Sequence, residues 1–110
     1  MKKSFFTFFC LVSSICSAGD QLDPPELWSW FKDLDKSVKA CEIESSVALQ
    51  NLNVENQVEN EHGIYANLKG NRIVIKCIAI NEKSKVWVAV AGNDRDSVEL
   101  IRNLLIKEIR

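Results

Sequence analysis

Apolar residues recur in this chain at two spacings, and the points where one spacing gives way to the other limit what it can fold into. Leu27, Phe31, Leu34, Val38, Cys41, Ser45, Ala48 and Leu52 follow one another at steps of three and four, which places them along one face of a helix. Asp23-Pro24-Pro25-Glu26 in front of them carries a capping residue, first-turn prolines and a glutamate in capping-box position. This predicts a helix running to about Asn51, with Lys32, Asp33, Asp35, Lys36, Lys39, Glu42 and Glu44 off the seam.

The period then falls to two. Leu52, Val54, Asn56 and Val58 alternate with Asn53, Glu55, Gln57 and Glu59, and Ile64, Ala66 and Leu68 alternate with Tyr65, Asn67 and Lys69. Arg72 to Ile80 is rich in β-branched residues on both faces, and Val86, Val88 and Val90 alternate with Trp87, Ala89 and Ala91. Turns are expected at His62-Gly63, Gly70-Asn71 and Asn81-Glu82-Lys83-Ser84. A closing helix starts near Asp94 to Ser97, with Asp96 and Glu99 as a reciprocal cap and Val98, Ile101, Leu105 and Ile109 as its apolar face. The predicted fold is therefore α+β: a helix, a four-stranded antiparallel meander and a second helix, both helices on one face of the sheet.

The first 18 residues read as a secretory signal peptide. Lys2 and Lys3 form a charged start, Ser4 to Ile15 a short apolar core, and Cys16-Ser17-Ala18 a small-residue cleavage site. About a dozen apolar residues are too few for a membrane-spanning helix of ~20, and no later run in the sequence is long and apolar enough. The competing reading is a lipoprotein acylated at Cys16, against which bulky Ile15 stands directly before the cysteine. Cleavage after Ala18 leaves one domain, residues 19–110, expected in the periplasm or secreted. Loss of Lys2 and Lys3 takes the 14 basic side chains to 12 against 15 acidic ones, moving the net charge from -1 to -3. An acidic chain is a poor match for nucleic acid or anionic lipid.

Cys41 and Cys77 remain after cleavage. An even count in an oxidising compartment reads as a disulfide, and with His62 as the only histidine neither a metal nor another cofactor is expected. His62 between Glu61 and Gly63 reads as an exposed turn residue. The acidic pairs Glu42 with Glu44, Glu55 with Glu59 and Glu61, and Asp94 with Asp96 fall on polar faces or caps, and no nucleophile–base set is apparent. No enzymatic activity is expected. Two groups stand out as partner-binding candidates. One is aromatic: Trp28 and Trp30, crowded within about one helical turn with Phe31, and Trp87 with Tyr65 on the strands. The other is an acidic edge of Glu55, Glu59 and Glu61.

The run from Ala48-Leu49-Gln50-Asn51-Leu52 through Gly63-Ile64-Tyr65-Ala66 to Val86-Trp87-Val88-Ala89-Val90-Ala91-Gly92-Asn93-Asp94, followed by an amphipathic helix, resembles a family of small uncharacterised bacterial envelope proteins, many of them lipoproteins. The resemblance covers about residues 38–109 and implies no catalytic residues. Together these features lead to the expectation of an exported, non-catalytic envelope protein that binds another protein in an inhibitor, immunity or assembly role. The alternative is a periplasmic carrier of a small molecule or lipid. The sequence leaves open the oligomeric state, the partner, and whether the aromatic cluster is a binding surface or a hydrophobic cap closing the end of the sheet.

Overall fold

A computed structural model describes residues 23–110; the expected leader, its cleavage point and Cys16 lie outside the described residues. The elements run β1 (Glu26–Leu34), α1 (Val38–Asn51), β2 (Glu55–Asn60), β3 (Gly63–Leu68), β4 (Asn71–Ile80), β5 (Lys83–Gly92) and α2 (Arg95–Glu108). All five strands form one antiparallel sheet in the order β1-β5-β4-β3-β2.

This corrects the predicted four-stranded arrangement. Residues 26–34 are a strand, not the first half of a helix, and they pair with β5 from Glu26↔Gly92 to Leu34↔Ser84. The step of four from Leu27 to Phe31 satisfies a strand face as well as a helix face, because four is even. What decides is the clustered Trp28, Trp30 and Phe31, whose rings favour a pleated surface over a helix. The helix begins only after the chain bends at Asp35 and Lys36, where Ser37 caps it by accepting from the Ala40 N–H at 3.2 Å. Trp28 and Trp30 are therefore not neighbours around a helical turn; they lie two apart on one face of a strand.

Both helices lie against the same face of the sheet. Alternate residues Ile64 and Ala66, Ile73 and Ile75, and Val86, Val88 and Val90 point to that face, where they bury against Cys41, Ala48 and Leu49 of α1 and Val98, Ile101 and Leu105 of α2. Each fully buried aliphatic side chain contributes about 1.5–3 kcal/mol, so this one layer dominates the stability. The helix α1 carries the chain from edge strand β1 to the opposite edge strand β2, spanning the sheet that the meander later fills. The Cys41–Cys77 disulfide, with Cα atoms 6.1 Å apart, ties α1 to β4, and the Ser45 hydroxyl lies 3.6 Å from the Cys77 sulfur.

Two further local differences have clear causes. Asp94, not Asp96, caps α2 by accepting from the Ser97 N–H at 3.1 Å. In β2 the register shifts between Glu55 and Val58, and Asn56 takes φ 53°. That bulge reverses the alternation. Val54 packs on the core while Val58, expected on the same face, is left 54% exposed.

Buried polar side chains join the elements. Ser84 donates to the carbonyls of Lys36 (2.8 Å) and Ser37, holding the β1–α1 link. Asn71 donates to Leu68 O and Ser97 Oγ, both at 3.0 Å, and so ties the β3–β4 turn to the start of α2. Gly92 is required there, since a Cβ on it would lie 1.9 Å from Asn71 Oδ1.

Candidate functional site

The other face of the sheet has no element of the described residues upon it. Strand register shows which side chains it carries. Val58 lies opposite Tyr65, Tyr65 opposite Val74, and Val74 opposite Ala89, forming an apolar row across four strands. In the next row Lys76 lies opposite Trp87, and Trp87 opposite Phe31. Tyr65, Val74 and Trp87 are half-buried by their neighbours, whereas Phe31 is 57% exposed. Leu27, 70% exposed, and Ile78 and Ile80 extend the apolar surface towards its ends.

The charges around this row are mostly positive. Arg72, Lys76, Lys83 and Lys85 lie on the open face by register, against Asp33 and Glu55. Lys85 pairs with Asp33 at 3.6 Å and sits 5.9 Å from the Phe31 ring centre; Lys83 pairs with Asp35 at 3.2 Å. Arg72 donates to Asn67 at 2.7 Å. Among the described residues neither Arg72 nor Lys76 has a carboxylate partner. An acidic chain thus presents an aromatic and basic face, a composition suited to binding a surface of opposite charge.

The aromatic candidates separate into two places. Trp87 and Tyr65 share the open face, where they are joined by Phe31, which the sequence grouped with Trp28 and Trp30, and by Val74, which it did not single out. Trp28 and Trp30 point to the helix side of β1. There the Arg102 guanidinium of α2 lies 5.2 Å from the Trp28 ring and 5.7 Å from the Trp30 ring, with Arg95 5.5 Å from Trp28. Trp28 packs on the core and donates from Nε1 to Glu26 at 3.2 Å, whereas Trp30 is 57% exposed.

The acidic candidates separate as well. Glu55 lies opposite Asn67 on the open face, and Glu61 is exposed in the β2–β3 turn, 3.6 Å from the His62 ring. Glu59 lines a shallow groove of about 470 Å³ between β2 and α1, with Lys39, Glu42, Ile43, Ser46 and Val47. The three carboxylates therefore form no common surface.

One carboxylate has a shifted titration, where β1, α1 and the residues following α2 meet. Partial burial opposes ionisation of Glu44, but a hydrogen-bonded Lys36 ammonium, the Arg110 backbone N–H and the nearby Lys32 charge outweigh it and hold its carboxyl below the ordinary value of 4.5. Lys32 itself donates to the Ile106 and Ile109 carbonyls at 2.8 and 2.7 Å, closing the end of α2. This cluster fastens elements together. Among the described residues no group of three or more His, Cys, Asp or Glu side chains is placed to hold a metal ion, and no helix is long and apolar enough to cross a membrane.

No family model, curated protein or solved structure matches the chain.

Proposed function

We propose that this chain is an exported, non-catalytic binding protein that docks a protein partner on the open face of its sheet. The observation that carries this reading is the contiguous row Val58–Tyr65–Val74–Ala89 with Trp87 and Phe31 beside it, bordered by Arg72 and Lys76. Soluble domains rarely leave such a patch bare without a binding role, and buried aromatics within a polar rim are what protein interfaces use. The partner that fits is a protein with acidic groups around an apolar surface. An inhibitor, immunity or assembly role is compatible with such a partner. The disulfide and the leader-like first 18 residues support placement in the periplasm or outside the cell.

The carrier reading finds less support, because it asks for a cavity between helices and sheet. That space is filled by Leu49, Ile73, Ile75, Val86, Val88, Val90 and Leu105.

Affinity capture from periplasmic extract tests the proposal. Wild type and Trp30→Ala, altered on the helix side, should retain the same partner, and Phe31→Ala with Trp87→Ala should lose it. Binding should weaken as salt is raised. Undiminished capture by a Phe31→Ala/Trp87→Ala protein with an intact melting transition overturns the proposal.

A further inference from the structure

Glu26 to Lys32 of β1 read Glu-Leu-Trp-Ser-Trp-Phe-Lys, a run that complements its own reversal about Ser29. Glu26 answers Lys32, Leu27 answers Phe31, Trp28 answers Trp30, and Ser29 answers itself. In an antiparallel pair, residues directly opposite share a face. Two such strands in this register would set opposite charges, two aliphatic–aromatic pairs and two tryptophan pairs against one another.

The strand carrying this run is an edge of the sheet. Natural edges are blunted by bulges, prolines or central charges. The opposite edge, β2, has such a bulge at Glu55 to Val58. By contrast β1 pairs regularly with β5 over all nine residues and carries exposed Leu27, Trp30 and Phe31. Beside it, Trp30, Arg102, Asn103 and Ile106 line a small cleft of about 140 Å³.

From these observations we propose that β1 pairs antiparallel with β1 of a second copy about a two-fold axis at Ser29, joining the two sheets into one continuous sheet. Glu26 of each copy then faces Lys32 of the other, and Trp28 of each faces Trp30 of the other beside the cleft. All helices lie on one side, and the two open faces become one surface of twice the width. The interface is isologous, as a two-fold axis demands. Arg102 donates to the Ser29 carbonyl at 3.2 Å, which does not bar the pairing, since a carbonyl has a second lone pair for a ladder bond. The proposal does not depend on what binds the open face.

Sedimentation equilibrium of the purified protein over a concentration series tests the pairing. The wild type should dimerise, and Glu26→Lys should weaken the dimer by about tenfold or more, since both cross-strand ion pairs become repulsive. This substitution leaves Lys32 and its bonds to α2 in place. Glu26→Gln, which removes the attraction without adding repulsion and also leaves Lys32 in place, should weaken the dimer less than Glu26→Lys does. Independently, Ser29→Cys should form a covalent dimer on oxidation, because opposed Cα atoms are about 4.5–5.5 Å apart, within disulfide reach of about 4.4–6.8 Å. Leu27→Cys should not, since its counterpart is four residues, about 13 Å, along the strand. A wild type that stays monomeric throughout, unchanged association of Glu26→Lys, a Glu26→Gln dimer weaker than that of Glu26→Lys, or equal cross-linking at 27 and 29 overturns the proposal.

Discussion

Single residues hold the ends of this molecule together, and two of them give sharp tests. Because Glu44 titrates below 4.5 in the folded chain, the unfolded chain takes up its proton first on acidification. The stability due to Glu44 is complete above the ordinary carboxylate range and is lost as pH falls from there through the folded value. Urea midpoints measured from neutral pH to below that range should therefore fall for the wild type, and Glu44→Gln should remove part of the slope while being less stable at neutral pH. An unchanged slope would show that the contacts with Lys36 and Arg110 contribute nothing. Gly92 makes the second test through space alone. Alanine there must displace the Asn71 amide that bridges the β3–β4 turn to Ser97, so Gly92→Ala should cost about 1–3 kcal/mol. In an Asn71→Ala background, which removes the obstructing amide, most of that cost should vanish in a double-mutant cycle.

At the scale of elements, α1 is attached to the sheet partly by its own apolar residues and partly by the disulfide to β4. Closing a loop of 36 residues stabilises by about 3–4 kcal/mol in the chain-entropy model, so denaturant midpoints taken with and without reductant should differ accordingly. A difference near zero would mean that Leu49, Ala48 and the Ser45 region seat the helix unaided. This pairing was legible in the sequence because a leader-like start and an even cysteine count after it restrict the alternatives, and the turns before Gly63, Asn71 and Lys83 were legible because period two breaks at polar residues. The strand β1 was not, since Leu27 and Phe31 fit both periods and the proline-containing start looks like a helix cap. The bulge at Asn56 was also hidden: a single residue in left-handed conformation changes every later face assignment in its strand, and asparagine in a polar stretch does not announce it. For the candidate site, the alternation of each strand put Trp87 and Tyr65 on the face away from the aliphatic core residues, but left open whether that face is covered; the structure places both there, half-buried. Val74 joins them through the β3–β4 and β4–β5 registers, and Phe31 only once β1 is placed beside β5.

The whole molecule has two faces built from similar residues under different conditions, and that asymmetry can be measured. Val88 and Trp87 are adjacent in β5, one fully buried beneath the helices and the other half-covered on the open side. Truncating a residue on the helix side leaves a cavity within a close-packed layer, so Ile75→Ala and Leu105→Ala should each cost about 2–5 kcal/mol. Truncating Phe31, more than half of whose surface is already in water, removes little burial and opens no cavity, so Phe31→Ala should cost under about 1 kcal/mol. If the open face is the docking surface, these two classes separate in opposite directions when partner binding is measured as well: the helix-side variants lose stability but bind while folded, and Phe31→Ala remains folded but binds weakly. A Phe31→Ala protein as destabilised as Ile75→Ala would mean that the face is covered within the chain itself, and that its aromatic row is a second core layer instead of a binding surface.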